Sequence, residues 1–420
     1  MRHAVAVARR FAPFRFRASA CAGVAFILLA SAALALQSGV LQGTLKGVDS
    51  GSRRVIVTAG GADVELDVVE SSRFMDGSGK PLGGGLNNPA LKAGAPVMFK
   101  AVKQDGRSVL FGLRLAGPGA QAGKAQLPPP KVDMSAVKPL PDMGPGDRYH
   151  GFEGGLYPGS RRDRPADHEA AGVALAERVE PLDADGSPSP NGKIVLASVG
   201  MSNTNQAFSG FMRAARHDAE INPRVALVNG AMGGVVASMM STEDGRKRPD
   251  GSLFRYWDEL DAAIKRAGAT RAQVQAVWIK QADAGPSQGF PAYAETLRDE
   301  LAQIVQIIHR RFPNVRLIYL SSRTYGGFAT TRLNPEPYAY ESGLSVKWLI
   351  ERQLQGDLGL NFDPTKGEVR APWLSWGPYL WADGARPNAD GYSYQEADFS
   401  PADGTHESPA GQDKIGNRLL

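Results

Sequence analysis

The stretch Val195-Leu-Ala-Ser-Val-Gly-Met-Ser-Asn-Thr204 limits what this chain can fold into more than any other. Its first residues are small, aliphatic or β-branched. Gly200 breaks the run at strand length, and a segment of helical pattern follows. That combination predicts a buried central strand that opens into a strand-to-helix turn. A side chain on such a turn is lifted off the sheet edge into reach of a substrate. Ser202 and Asn203 are the residues so delivered.

Downstream the same unit recurs. Strands are expected at 193–199, 224–229, 274–280 and 315–321, and helices near 205–219, 257–267, 293–311 and 342–354. An apolar stretch at 372–381 and a short helix after Pro409 close the chain. Strands alternating with helices of this length predict βαβ units, and hence an α/β domain with a parallel sheet covered on both faces. All six tryptophans fall between Trp257 and Trp381, as a large core with ligand-facing clefts requires. This domain is assigned residues 146–420.

Three segments are expected before it. Residues 1–36 carry Arg2, Arg9, Arg10, Arg15 and Arg17, then an apolar run from Ala18 to Leu36 with small residues at Ala33 and Ala35. This is the pattern of a secretory signal peptide, and the run is short for a membrane span. An exported protein, periplasmic or extracellular, with no membrane span in the mature chain, is the expectation. Those arginines account for the whole formal charge of +5, so the mature chain is close to neutral and its basic pI implies no nucleic-acid partner. Cys21, the single cysteine, lies in the same leader, which excludes disulfides and cysteine chemistry from the mature chain. Residues 38–116 alternate with period two, as in Arg53-Arg-Val-Ile-Val-Thr58, between glycine-rich turns, and predict a small all-β, barrel-like module without histidine. Residues 117–145, including Pro128-Pro-Pro130, have the composition of a partly extended linker.

On this map the polar residues converge on one edge of the sheet. Ser202 follows the first strand and Asn229-Gly-Ala-Met-Gly-Gly234 the second; Lys280-Gln281 ends the third. Arg323 and Tyr325 follow the fourth, and Asp403 and His406 precede the last helix. Ligands of parallel α/β sheets bind beyond this edge. A serine hydroxyl is a weak nucleophile at neutral pH and needs a base in hydrogen-bond reach, the role assigned to His406. Asp403, three residues earlier, would hold the imidazole and stabilise its cation. The charge that develops on an attacked carbonyl needs preorganised donors, for which the backbone N–H groups of Ser202 and Gly233 are the candidates. Arg323 and Tyr325 are candidate substrate-binding residues, although they and Gln281 suit supporting or packing roles better than direct catalysis. Taken singly these signals are weak, because a strand-end serine is more often a helix cap and Gly233-Gly234 can simply make a tight turn. His150, His168, His217 and His309 share no spacing suggestive of metal ligands.

Gly200-Met-Ser-Asn203 followed by Asp403-Gly-Thr-His406 resembles the SGNH (GDSL-like) hydrolase superfamily, in which the nucleophilic serine follows the first strand and an Asp-x-x-His element closes the triad. Gly233-Gly234 is similar to the second block of its carbohydrate acetylesterase branch. The resemblance spans residues 146–420. It implies a three-layer, flavodoxin-like parallel sheet and esterase chemistry on acyl esters, often acetylated sugars, with no metal or organic cofactor. The chain departs from the family at the third block, where a Gly-x-Asn segment usually supplies a side-chain oxyanion donor and this sequence has Ile279-Lys-Gln-Ala-Asp283. Gln281 and Asn203 are the two amides available to replace it.

The expectation is therefore an exported serine esterase acting on acyl esters, acetyl above all, of a carbohydrate or an acylated small molecule. The alternative from another class is a secreted carbohydrate-binding protein on the same scaffold with weak or no hydrolysis, motivated by the altered third block. Acyl transfer to a sugar hydroxyl by the same serine is a third option. The α/β-hydrolase fold fits less well, since its Gly-x-Ser-x-Gly elbow is absent. Geometry separates the first two: Ser202 within reach of His406 favours an enzyme, and Ser202 turned away favours a binding protein.

Overall fold

The computed structural model describes residues 41–59, 62–76, 80–104, 107–115, 132–247 and 252–420. The expected signal peptide and residues 117–131 of the expected linker lie outside this range. The described residues divide between two compact units, 41–115 and 132–420.

The smaller unit is a closed barrel. Its strands β1 (Leu41–Asp49), β2 (Arg54–Ala59), β3 (Ala62–Met75), β4 (Pro96–Gln104) and β5 (Arg107–Leu115) pair in the order β1-β2-β3-β5-β4, and β4 returns to β1. Period-two alternation explains the closure, since Val55, Val57, Leu66, Val97, Phe99 and Leu113 all point into one core while their neighbours face solvent. Only β3–β5 is parallel, and a register shift between Val68 and Arg73 bends β3 across the barrel.

The larger unit is a mixed α/β structure around five parallel strands: β6 (Ile194–Gly200), β7 (Val225–Asn229), β8 (Val274–Lys280), β9 (Leu317–Leu320) and β10 (Trp373–Trp376). They lie in the order β7-β6-β8-β9-β10, so the sheet runs 2-1-3-4-5 and its switch point falls between β6 and β8. Alternate residues of each strand enter different cores. Val195, Ala197, Val199, Val277 and Ile279 pack with α3 (Tyr256–Arg266), α4 (Ala292–Arg311) and α5 (Tyr338–Leu354). Ile194, Leu196, Ala276, Trp278 and Tyr319 pack with α1 (Ala166–Ala176), α2 (Ser202–Ala215) and α6 (Pro409–Leu419). Helices on both faces make three layers, and this explains why the strands read as near-continuous apolar runs.

Three details differ from expectation. Helix α1 has no counterpart in the sequence reading because its Ala- and Gly-rich sequence carries no apolar stripe. Residues 132–145, expected as linker, pack into the larger unit: Met134, Leu140 and Met143 are buried, Leu140 N–H donates to Tyr379 OH at 3.2 Å, and Tyr340 OH donates to the Lys138 carbonyl at 3.0 Å. Proline and glycine there preclude a long helix or strand without precluding burial. Finally, α2 starts at Ser202 and not near 205.

Candidate active site

The early start of α2 sets the first side chain. Met201 is extended (φ −92°, ψ −161°) and caps the helix, so Ser202 occupies its first turn with a backbone N–H that has no intrahelical partner. Gly200 makes the bend possible, because a Cβ there would stand 2.3 Å from the Lys280 carbonyl oxygen and 2.4 Å from Thr204 Oγ1. Helix α2 is in turn pressed on α6, where Gly210 and Gly416 meet: a Cβ on Gly416 would lie 2.3 Å from the Gly210 carbonyl carbon. Helix α6 begins with Ser408, whose side chain accepts from Gly411 N–H, and Pro409. The loop just before it carries Asp403 and His406. Glycine-to-glycine contact between the two helices thereby brings nucleophile and base together from positions 204 residues apart in sequence.

Ser202 Oγ lies 2.7 Å from His406 Nε2, and His406 Nδ1 lies 2.6 Å from Asp403 Oδ2. The other oxygen, Asp403 Oδ1, accepts the backbone N–H groups of Thr405 at 2.8 Å and His406 at 2.9 Å. Burial pushes the Asp403 carboxyl upward, but the donors on His406 and Thr405 outweigh it and hold the group below its usual range. An ionised Asp403 fixes the proton on Nδ1 and leaves the Nε2 lone pair to accept from Ser202. Both His406 and Asp403 stay partly exposed, so a substrate can approach.

Gly233 lies on the β7 side of the switch point, and a Cβ there would stand 3.7 Å from Ser202 Cβ. The glycine is exposed, and its N–H has no hydrogen-bond partner among the described residues. Gly233 thus stands beside Ser202.

The remaining sequence candidates fall differently. Gln281 is 3 % exposed, and its amide is engaged elsewhere: Nε2 donates to Val235 O at 3.0 Å and to Met240 Sδ at 2.9 Å, while Oε1 accepts from Ala282 N–H. It secures the segment after Gly234 and presents no donor to Ser202. Arg323, expected at the substrate, is buried; it donates through Nη1 to Asn203 Oδ1 and through Nε to Asn334 Oδ1 at 3.2 Å. A guanidinium fits this place because one planar fork reaches both amides. Asn203 is 1 % exposed, and its Nδ2 has no hydrogen-bond partner among the described residues. Tyr325 is half-buried and lines an open cleft of about 700 Å³ with Phe328, Asp383, Arg386, Gln395 and Glu396. Its loop touches the triad loop, where Thr330 N–H donates to Asp403 O at 2.9 Å.

The sequence reading missed Lys280 and Glu407 as site residues. Their side chains are fully buried, with Nζ to Oε1 at 2.7 Å. A lysine closing an apolar strand, and a glutamate next to the histidine, were the available signals. His168 is also buried, stacked on Trp373 with Nε2 at 2.7 Å from Leu374 O, and burial lowers its pKa to about 4, as suits a neutral packing residue. Among the described residues no group of three or more His, Cys, Asp or Glu side chains could hold a metal ion, and no helix is long and apolar enough to cross a membrane.

No protein-family model and no curated protein matches the chain. Among solved structures, the periplasmic domain of a lipopolysaccharide acetyltransferase from Salmonella ser. Paratyphi A is 12% identical with a TM-score of 0.30, over 60% of this chain and 94% of that one. Silver-bound CusF is 16% identical with a TM-score of 0.15, over 19% of this chain and 97% of that one. Apo-CusF from Escherichia coli is 16% identical with a TM-score of 0.14, over 21% and 98%. At these values the likenesses establish neither a family nor an activity.

Proposed function

We propose that the larger unit is a serine hydrolase of the SGNH kind that acts on acyl esters, with acetylated carbohydrate as its substrate class. The observation that carries this reading is the unbroken Ser202–His406–Asp403 chain of hydrogen bonds, 2.7 and 2.6 Å long, at the switch point of a 2-1-3-4-5 sheet. The rival reading, a binding protein, calls for a Ser202 turned away from His406.

The chemistry follows from the geometry. Ser202 Oγ attacks the ester carbonyl carbon as its proton passes to His406 Nε2, while Nδ1–H stays on Asp403 and the imidazolium is stabilised by that carboxylate. The carbonyl oxygen takes the negative charge against the N–H groups of Ser202 and Gly233, each such donor being worth roughly 3 kcal/mol of barrier. Collapse expels the alcohol, which takes the proton from Nε2. Water then attacks the acyl-serine by the same route and releases the acid. Asn203 Nδ2, a donor beside the nucleophile without a partner among the described residues, is our candidate for the third member of the oxyanion site.

Support for a carbohydrate comes from the cleft on the triad's flank. Tyr325 and Phe328 offer ring faces, and Asp383, Arg386, Gln395 and Glu396 offer hydroxyl partners. The leader expected over residues 1–36 supports an activity outside the cytoplasm. The test is turnover of p-nitrophenyl acetate and acetylated xylan by the mature protein beside Ser202→Ala. The variant is expected to lose at least about a thousandfold in kcat; equal rates in both proteins would overturn the reading.

A further inference from the structure

Beneath the triad lies a charged cluster that the acid–base relay does not use. Lys280 ends β8, and Glu407 directly follows His406. Their side chains are 0 % exposed and meet at 2.7 Å. Lys280 Nζ also stands 3.5 Å from the Asn203 carbonyl oxygen, so one ammonium contacts the residue after Ser202 and the residue after His406. Two further bonds follow the same line: Glu407 N–H donates to Gln206 Oε1 on α2 at 3.2 Å, and Thr204 Oγ1 donates to the Lys280 carbonyl. Arg323 completes the cluster by holding Asn203 Oδ1. Glu407 is the carboxylate that faces both cations.

We propose that Lys280 and Glu407 are positioning residues, an ion-pair clamp that ties the turn carrying Ser202 to the loop carrying His406 and so sets their 2.7 Å contact. The proposal rests on the serine hydrolase reading for its meaning, though not for its geometry. Stability is a poor reason for such a pair. Taking two ions out of water costs several kcal/mol for each, and replacing a buried pair by apolar residues of similar volume is often neutral or stabilising. What the pair supplies is a fixed distance. A charged hydrogen bond has one short optimum, whereas apolar packing tolerates sliding, and a displacement of about 1 Å between reacting groups costs on the order of 10²-fold in rate. The elements it joins have no shared strand: the Ser202 turn belongs to the sheet, and the His406 loop reaches it from α6.

The experiment compares wild type with Lys280→Met/Glu407→Leu by thermal unfolding, by crystal structure and by the rate of labelling with a serine-directed fluorophosphonate, Ser202→Ala serving as the blank. We expect the double variant to unfold at no lower temperature, with Ser202 Oγ and His406 Nε2 moved out of hydrogen-bond reach and labelling slowed on the order of 10²-fold. Glu407→Gln, which keeps an acceptor for Nζ, retains about tenfold more of the labelling rate than Glu407→Leu. A double variant that keeps the 2.7 Å contact and labels at the wild-type rate overturns the clamp. If wild type itself does not label, the hydrolase reading fails, and the Ser202–His406 distance in the two crystal structures still decides the clamp. Should the double variant not fold, Glu407→Gln, which keeps the side chain's shape, carries the test: labelling at the full wild-type rate with the Ser202–His406 contact unchanged overturns the charged clamp.

Discussion

Asp403→Asn is the perturbation that isolates the relay from the fold. The carboxylate accepts three hydrogen bonds: from His406 Nδ1 at 2.6 Å, from His406 N–H at 2.9 Å and from Thr405 N–H at 2.8 Å. An asparagine of the same shape keeps Oδ1 on the two backbone groups and must then turn its NH2 toward the imidazole. Two donors cannot face each other at that distance. The ring therefore adopts the other tautomer, with the proton on Nε2, and offers Ser202 a donor where it needs a lone pair. The loop stays built while the base is lost. An enforced wrong tautomer is worth roughly 10⁴ in kcat, or about 5.5 kcal/mol. The assay is kcat and kcat/KM on p-nitrophenyl acetate for wild type and Asp403→Asn, with circular dichroism to establish that the variant is folded. Folded Asp403→Asn with more than about a tenth of wild-type kcat would refute the reasoning. There is a stability counterpart. Folding lowers the Asp403 pKa, so its contribution is complete above the ordinary carboxylate range and is lost as pH falls through the lowered value. Wild type is therefore expected to lose its advantage over the variant only in acid.

Two further perturbations test how the site is held. Gly416→Val places a side chain 2.3 Å from the Gly210 carbonyl carbon and 2.4 Å from Phe211 N, forcing α6 off α2; we expect about 1–3 kcal/mol of destabilisation in thermal unfolding together with a fall in kcat, and no change in either would contradict the packing argument. Glu341→Gln tests a buried acid that the chemistry does not use. Burial pushes the Glu341 carboxyl up to about 7, against the Tyr149 OH bond of 2.9 Å, so the folded chain binds a proton that the unfolded chain releases. Its contribution to stability falls as pH rises from the ordinary carboxyl value of 4.5 toward 7. The variant keeps an acceptor for Tyr149 and should gain on wild type across that range, by about 3 kcal/mol at most; a difference in unfolding free energy that stays constant with pH would exclude the effect.

The parallel sheet was legible because strands buried on both faces are written as near-continuous apolar runs, as Val195–Gly200 and Ala276–Ile279 are. The meeting of Ser202 with His406 was legible for a similar reason, since each sits at a sheet-edge position that topology makes common. Helix α1 was illegible because alanine carries no face. The packed segment at 132–145 was illegible because proline content reports on regular structure and not on burial. Arg323 and Gln281 were open to two readings, ligand contact or a packing role, and the structure places both in packing roles. The sequence does not show which polar residues at strand ends are satisfied from behind by partners far along the chain, here Asn203, Asn334, Val235 and Met240.

That packing marks where this site differs from the pattern the sequence resembles. Where a side-chain amide is expected at the end of the third strand, the chain places Lys280 inward and turns Gln281 aside. The amide next to the nucleophile in sequence is Asn203, one residue along α2, with its oxygen held by Arg323. Arginine has donors only, so this contact decides which end of the amide is free, and the free end is the donor Nδ2. A buried N–H without a partner costs about 1–3 kcal/mol in the resting protein. On the function proposed above, a carbonyl oxygen gaining negative charge beside Ser202 would be the acceptor that removes this cost in the transition state and not before. Binding realised only at that moment accelerates the reaction, whereas binding shared with the ground state does not. The buried cations are thus consistent with a single arrangement: Lys280 fixes where Ser202 and His406 stand, and Arg323 fixes which way the neighbouring amide faces.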